Sequence, residues 1–151
     1  MAALRIGPVG GGGGQIQDIA IGGVTRLTWV NIRHGAAIDS MTFKYERAGG
    51  LVETTNRWGG GGGENSREID LGPREYLTRI TGHYGDFRGQ VVMRSLRFYS
   101  NLREFPPCGE FVGAEFQLAA PVGSQIIGFH ARSGVYLDGL GIYVAPAPPN
   151  L

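Results

Sequence analysis

The most constraining feature of this chain is a run of five consecutive glycines that occurs twice, at residues 10–14 and 59–63. Each run follows an apolar residue, Val9 or Trp58, and a few residues after each run an acidic residue precedes an isoleucine. One polyglycine run is typical of a flexible linker. Two runs in the same local setting indicate two copies of one structural unit, so we expect a repeat fold with ligand sites at its loops.

A second pattern, a glycine followed four residues later by an aspartate, recurs at residues 35–39, 82–86 and 134–138. In a chain with 27 glycines this pattern arises by chance, so its regular placement carries the information. The copies lie about 50 residues apart, and a fixed period is the signature of a repeat architecture. We therefore expect three units in the 151 residues, with residues 82–86 as the copy in one of them.

The secondary-structure signal is β-strand throughout, because short runs of β-branched and aromatic residues often alternate with polar ones. Strands are predicted at residues 28–32, 41–45, 76–81, 91–99, 111–118, 126–129 and 140–144. No window has the apolar stripe of a capped helix, and each glycine inside a helix would cost about 1 kcal/mol. Strands joined by loops rich in glycine and proline imply an all-β sandwich, barrel or prism.

The charge and the rare residue types exclude several classes of partner. Fourteen basic residues against 13 acidic ones give a formal net charge of +1, which argues against a nucleic acid or an acidic membrane as the main partner. The single cysteine, Cys108, excludes an internal disulfide and a cysteine-based zinc site. The histidines, His34, His83 and His130, do not have metal-ligand spacing, so neither a metal nor another cofactor is expected.

No stretch of the sequence approaches the length of a membrane span, and the N-terminal residues lack the apolar core of a signal peptide. We therefore expect no membrane insertion and a cytoplasmic or nucleocytoplasmic location. The proline-rich residues near the C-terminus are expected to form a frayed tail or the start of a linker.

Four segments resemble the jacalin-related lectins of plants, and of these the C-terminal one is the most specific. They are GPVGGGGGQIQDI, WGGGGGENSREI, VVMRSLRFYSN and IIGFHARSGVYLDGLGIYV. The resemblance runs from about Ile6 to Pro146 and implies a β-prism of three four-stranded antiparallel sheets with pseudo-threefold symmetry. Residues 1–146 are then a lectin domain of the jacalin type, and residues 147–151 are a proline-rich tail.

The resemblance also implies carbohydrate sites at the loops. In the family, the main site joins the C-terminal Gly-x-x-x-Asp loop to the end of the first glycine run. Matched by motif, this site comprises Gly14, Gly134, Val135, Tyr136 and Asp138. A second site of some mannose-binding members would comprise Gly35, Ala36, Ala37, Asp39, Gly62 and Gly63. A third, at residues 82–86 and 106–114, is doubtful because the latter segment has no glycine run.

These residue types suit a neutral sugar. A carboxylate such as Asp138 accepts hydrogen bonds from two neighbouring hydroxyls, and charge-assisted bonds are the stronger kind. Glycine lets the backbone approach a ligand, because no Cβ is in the way. An aromatic ring such as Tyr136 covers an apolar face of the sugar ring. A site of this kind needs neither a metal nor a nucleophile.

The resemblance therefore implies a multivalent, metal-independent lectin for mannose- and glucose-containing glycans, acting as a homodimer or higher oligomer. Family members that bind galactose are cut in the first glycine loop, whereas this chain runs uninterrupted through residues 10–14. A galactose-binding lectin and a sugar-inactive protein-interaction module of a larger protein remain alternatives. A glycosidase is disfavoured, because Asp39, Asp86 and Asp138 belong to corresponding loops and are expected to lie too far apart to share one glycosidic bond.

Overall fold

The structure, a computed structural model, describes residues 3–149 and contains strands but no helix in that range. No element in residues 3–149 is therefore a helix capable of crossing a membrane. The thirteen strands are β1 (Leu4–Gly10), β2 (Gln15–Gln17), β3 (Val24–His34), β4 (Ile38–Arg47), β5 (Val52–Thr54), β6 (Trp58–Gly59), β7 (Asn65–Asp70), β8 (Leu77–Phe87), β9 (Gln90–Ser100), β10 (Cys108–Gly109), β11 (Ala114–Ala119), β12 (Ser124–Ser133) and β13 (Leu137–Pro146).

Three long antiparallel hairpins, β3–β4, β8–β9 and β12–β13, form the frame of the molecule. Each hairpin carries shorter strands on both edges: β7 with β5 and β6, β11 with β10, and β2 with β1. The result is three four-stranded antiparallel sheets, in one of which the fourth strand is split into β5 and β6. A single residue pair, Ile126 with Leu77, joins two of the sheets into a continuous eight-stranded one. The predicted all-β prism is confirmed.

Most predicted strands lie inside the observed ones, with two exceptions. The strand predicted at residues 76–81 begins at Leu77, and the one predicted from residue 111 begins only at Ala114, after Gly113, whose φ of 102° is in the left-handed region. Sequence patterning did not identify the short strands β2, β5, β6 and β10, since two or three residues show no alternation. It also missed β1, which contains glycine and proline, and β7, which is mostly polar.

The core lies between the three hairpins and is fixed by aromatic side chains. The Phe43 ring meets Trp58 and Phe129 edge-on, with centroids 5.1 and 5.0 Å apart, so two hairpins interlock at this point. Phe98, on the third hairpin, is also fully buried. Burial of each such side chain contributes about 1.5–3 kcal/mol. The packed core holds the hairpin ends, where the predicted site residues lie, in fixed positions.

The three hairpin turns lie at one end of the molecule and share one irregularity. Each hairpin has a shift in strand register near its turn, immediately before the pair Ser133 with Leu137, His34 with Ile38, or Tyr84 with Met93. The first two of these pairs are the last before their turns, whereas the β8–β9 hairpin continues for three more pairs. The repeat therefore extends to individual residues, as pseudo-threefold symmetry requires.

The C-terminal residues run past the end of β13 without leaving the surface. The Ala147 amide donates to the Gly123 carbonyl oxygen over 2.8 Å, and Pro148 and Pro149 lie beside Tyr76 and Leu102. Residues 150–151 of the predicted tail, and residues 1–2 of the predicted domain, lie outside the described residues. The division of the chain at residue 146 stays a prediction.

Candidate functional site

Asp138 lies at the start of β13, and its side chain is fully buried. Its Oδ2 accepts a hydrogen bond from Nε2 of Gln90 over 3.0 Å. Its Oδ1 is buried and has no hydrogen-bond partner within residues 3–149. Burial raises the pKa of Asp138, and the Gln90 hydrogen bond, the nearby Gly134 and Asp138 amides and the Arg132 charge lower it in part. A buried acceptor without a donor is costly, so a ligand hydroxyl that donates to Oδ1 would relieve this cost.

The first glycine run forms a close-fitting recess around this carboxylate. A Cβ atom on Gly13 would lie 3.0 Å from Asp138 Oδ2, and one on Gly14 would lie 2.8 Å from Oδ1. Gly14 also has a φ of 69°, which residues with a side chain rarely adopt. The Arg132 guanidinium fixes the run, because its Nε and Nη2 donate to the carbonyl oxygens of Gly13 and Gly14 over 3.0 Å each. Only glycine allows this approach of backbone to carboxylate.

The other predicted residues of this site lie on the β12–β13 turn. The Gly134 amide donates to the Tyr136 carbonyl oxygen over 2.9 Å and closes the turn, while Val135 is exposed. The Tyr136 ring meets Phe87 edge-on at 5.3 Å. The structure thus brings Gly14, Gly134, Val135, Tyr136 and Asp138 together at one end of the molecule.

Asp39 occupies the same position at the start of β4 and is 8% exposed. A Cβ atom on Gly62 would lie 2.8 Å from Asp39 Oδ2, and one on Gly63 would lie 2.9 Å from Oδ1. Arg33 donates to the carbonyl oxygens of Gly62 and Gly63 over 3.2 and 2.6 Å. Burial raises the pKa of Asp39, and the nearby Arg33 charge lowers it in part.

The predicted turn residues of this second recess are also in place. The Gly35 amide donates to the Ala37 carbonyl oxygen over 3.0 Å, which repeats the turn of Gly134 and Tyr136. Ala36 is exposed and Ala37 is buried. The second set of predicted residues therefore forms a recess with the same backbone as the first.

In the third unit, the position that corresponds to Asp138 and Asp39 is occupied by Arg94 and not by Asp86. The Gly11 amide donates to the Asp138 carbonyl oxygen and the Gly60 amide to that of Asp39, over 2.8 and 3.0 Å. The corresponding bond in the third unit runs from Glu110 to the Arg94 carbonyl oxygen, over 2.9 Å.

The prediction that residues 82–86 are the third copy is therefore wrong. Asp86 pairs with Val91 inside the β8–β9 hairpin, which extends beyond the other two and turns at Arg88 and Gly89. The third loop keeps glycine only at Gly109 and Gly113, where φ is 84° and 102°. These two positions correspond to the first and last residues of each pentaglycine run.

Arg94 fastens the hairpins to one another. Its Nε donates to the Ala36 carbonyl oxygen over 3.1 Å, and its Nη1 donates to that of Asp86 over 2.8 Å. Its guanidinium also lies 4.8 Å from the centre of the Phe87 ring and 3.3 Å from Glu110 Oε1. The position that carries a carboxylate in the other two units thus carries a structural cation in the third.

The family model described as "Jacalin-like lectin domain" matches residues 6–143. The chain belongs to the jacalin-like lectin family. The lectin is 35% identical over 144 residues to the jacalin-related lectin Calsepa of Calystegia sepium, covering 91% of this chain and 92% of the relative. It is 39% identical over 146 residues to jacalin-related lectin 3 of Arabidopsis thaliana, covering 95% of this chain but only 24% of that relative.

A mannose/glucose-specific lectin of Parkia platycephala is 34% identical, over 96% of this chain and 32% of its own length. The lectin thus spans about a quarter to a third of the length of the Arabidopsis and Parkia relatives. Among solved structures, the mannose-binding jacalin-related lectin AcmJRL of Ananas comosus has a TM-score of 0.89 at 37% identity, covering 95% of this chain and 98% of that one. Family and fold together confirm that residues 6–143 form a lectin domain of the jacalin type.

Gln90 is the site residue that sequence reasoning missed. It reaches Asp138 from the β8–β9 hairpin, which is remote in sequence. The chain offers no local signal for this contact, because it depends on the length of the hairpin and not on a motif.

Two other features of the structure lie apart from the carboxylate recesses. A groove of about 510 Å³ on the β8–β9 sheet is lined by residues that include His83, Ser95 and Phe111. His83 Nδ1 and Ser95 Oγ are 2.8 Å apart, but Ser95 is buried and is not available as a nucleophile. Within residues 3–149, no three His, Cys, Asp or Glu side chains form a group able to hold a metal ion.

Proposed function

We propose that this lectin binds mannose- and glucose-containing glycans, without a metal, at the two recesses around Asp138 and Asp39. The observation that carries the proposal is the buried Asp138 Oδ1, which lacks a donor and is enclosed by glycine backbone. Two neighbouring sugar hydroxyls donating to one carboxylate would satisfy it. The Tyr136 ring, at the rim, would cover an apolar face of the sugar.

The choice of mannose over galactose rests on two observations. The chain runs without interruption through Gly10 and Gly14, which the resemblance associates with the mannose class. The Parkia relative is named a mannose/glucose-specific lectin, the Ananas comosus lectin is described as mannose-binding, and another structural neighbour is an artocarpin–mannotriose complex. The galactose-binding alternative has no comparable support.

The experiment is a competition series on immobilised high-mannose glycan. Methyl α-mannoside is expected to inhibit binding at the lowest concentration, methyl α-glucoside at a higher one, and methyl α-galactoside not at all. A chelator is expected to leave binding unchanged. Inhibition by the galactoside below the mannoside concentration would overturn the sugar assignment, and loss of binding in chelator would overturn the metal-independent mechanism.

Two shallow recesses on one chain also favour multivalent binding. Monosaccharide affinity near 1 mM corresponds to only about 4 kcal/mol, whereas avidity raises apparent affinity by about 10²–10⁴. We propose a homodimer or higher oligomer that presents four or more recesses to branched glycans. Light scattering of the lectin, with and without a branched glycan, measures the assembly, and a monomer in both conditions would contradict it.

A further inference from the structure

Two exposed arginines lie beside the Asp39 recess and have no counterpart at the Asp138 recess. The Arg57 guanidinium covers Gly61, with its atoms 3.6–3.9 Å from the position of a Gly61 Cβ. At the corresponding Gly12, a Cβ atom would meet nothing within 4 Å. The middle of the second glycine run is therefore covered by a positive charge, and the middle of the first is open.

The second arginine, Arg88, approaches the same recess from the β8–β9 turn. The Arg94 guanidinium binds the carbonyl oxygens of both Ala36 and Asp86, so it holds the β8–β9 turn next to the turn that precedes Asp39. Arg88 is exposed, and its charge contributes to lowering the Asp39 pKa against the larger, opposite effect of burial. Its backbone has a φ of 56°, in the tight turn it forms with Gly89.

Neither guanidinium is neutralised by the protein. Within residues 3–149, no carboxylate lies within ion-pair distance of Arg57 or Arg88. Glu64, the acidic residue that directly follows the second glycine run, also makes no ion pair in that range. The Arg88 guanidinium lies 5.2 Å from the centre of the Phe87 ring, a contact that uses the face of the guanidinium and not its N–H donors. Exposed guanidiniums without an ion pair can bind phosphate, sulfate or carboxylate oxygens.

The apolar contact that suits a neutral ring is also missing from this recess. The Asp138 recess has Tyr136 on its turn, whereas the Asp39 recess has the buried Ala37 at the corresponding position. The second recess thus lacks the aromatic ring of the first and has positive charge nearby, and positive charge favours an anionic ligand.

We propose that the Asp39 recess binds a mannosyl residue that carries an anionic group, such as a phosphate, at its glycosidic position, while the Asp138 recess binds neutral mannosides. This inference rests on the proposed sugar-binding function of both recesses. The anionic group must lie away from the hydroxyls that bind Asp39, because two negative charges at one position repel. The glycosidic oxygen carries no hydrogen, so it is not one of the hydroxyls that donate to Asp39, and an anionic group at this position leaves those donors intact.

The test separates the two recesses by single substitutions and compares two probes, methyl α-mannoside and α-mannose 1-phosphate, by calorimetry at low ionic strength. In Asp138→Asn, where only the Asp39 recess remains, α-mannose 1-phosphate is expected to bind about tenfold more tightly than methyl α-mannoside, because its phosphate accepts charge-assisted hydrogen bonds. Low ionic strength is used because salt screens this interaction. In Asp39→Asn, the two probes are expected to bind equally.

The arginines are tested in the Asp138→Asn background with a matched control. Arg57→Gln and Arg88→Gln are each expected to reduce the preference for phosphate while leaving methyl α-mannoside affinity unchanged. Arg74→Gln, which removes an exposed arginine at the opposite end of the molecule, is expected to change neither affinity. Galactose 1-phosphate and inorganic phosphate, the controls for charge alone, are expected to bind far more weakly than α-mannose 1-phosphate.

The outcomes are distinguishable. If Asp138→Asn binds methyl α-mannoside and α-mannose 1-phosphate equally, or if the preference survives both glutamine substitutions, the anionic specificity is wrong and the sugar-binding function stands. If inorganic phosphate binds as tightly as the mannosyl phosphate, the arginines form a non-specific anion site and the inference also fails. If neither mannoside binds to Asp138→Asn, the proposed function of the Asp39 recess itself is wrong.

Discussion

The Asp138 and Asp39 recesses have the same backbone but different surroundings. Each has a buried aspartate after a three-residue turn, a glycine run against its carboxylate, and an arginine that binds two carbonyl oxygens of that run. Asp138 adds the Gln90 amide and the Tyr136 ring, whereas Asp39 adds nearby positive charge. The glycine runs and the aspartates therefore define the recess, while residues of neighbouring hairpins define which ligand each recess prefers.

The largest expected effect comes from removing one of the two carboxylates. In Asp138→Asn, the Asp138 recess is expected to lose measurable monosaccharide binding. Each charge-assisted hydrogen bond is worth about 1.5–3 kcal/mol, which is a large part of the total binding free energy of a monosaccharide. The melting temperature is not expected to fall, since the substitution removes a buried charge whose pKa is raised by burial. Calorimetry and a thermal melt measure the two quantities, and unchanged stoichiometry of mannoside binding would refute the assignment.

The glycine requirement is sharpened by a matched pair of substitutions in the same run. Gly14→Ala is expected to abolish binding at the Asp138 recess and to destabilise the fold by at least about 1–2 kcal/mol, because of its left-handed backbone. The new Cβ would also lie 2.5 Å from the Ser133 carbonyl group. Gly12→Ala, in open space, is expected to change neither property. Equal stability in denaturant melts and equal affinity in sugar titrations for the two variants would contradict the requirement for glycine at residue 14.

The second recess is tested by Asp39→Ala. This substitution is expected to halve the stoichiometry of methyl α-mannoside binding and to weaken binding to branched high-mannose glycans far more, because avidity requires both recesses. Asp86→Ala, the control at the discarded third position, is expected to change neither measurement. Crystals soaked in mannose provide the direct check, and sugar density beside Asp138 alone would contradict a functional second recess.

Both recesses are expected to lose sugar affinity in acid, because a protonated carboxyl accepts fewer hydrogen bonds. The loss begins above pH 3.8, the ordinary pKa, since burial raises the pKa of Asp138 and Asp39. Their effect on folding has the opposite sign. Because their pKa is higher in the folded than in the unfolded state, the folding free energy that they contribute is greatest in acid and is lost as the pH rises through the folded-state pKa. Titrations of methyl α-mannoside from pH 7 to pH 3.5 measure the loss, and constant affinity across that range would contradict the role of the carboxylates.

The smallest expected effect distinguishes the two recesses through Gln90. Gln90→Ala removes a hydrogen bond that favours the ionised form of Asp138, so the acid loss at that recess is expected to start at a higher pH. Affinity at pH 7 is expected to change by no more than about fivefold, the equivalent of one ordinary hydrogen bond. The Asp138 recess is measured in the Asp39→Asn background, where it is the remaining recess. The control is the same Gln90 substitution in the Asp138→Asn background, where the Asp39 recess remains. An unshifted pH profile at the Asp138 recess would exclude this role of Gln90.

Local patterns of the sequence predict the repeat and the all-β class, and the motifs that resemble the jacalin-related lectins predict the two recesses around Asp138 and Asp39. These features are local: glycine is needed where backbone meets carboxylate or φ is positive, and strand patterning is a property of short segments. Each is therefore visible in a few neighbouring residues, and the recurrence of similar segments predicts three units, although the copy assigned to the third unit, residues 82–86, is wrong.

The third unit and the surroundings of the two recesses depend on tertiary contacts. The β8–β9 hairpin continues beyond the turn positions of the other two, so Arg94, and not Asp86, occupies the position that corresponds to Asp138. The extension also brings Gln90 to one recess and Arg88 towards the other. Contacts of this kind join residues far apart in sequence and depend on hairpin length and on the packing of one hairpin against the next, which no local pattern encodes.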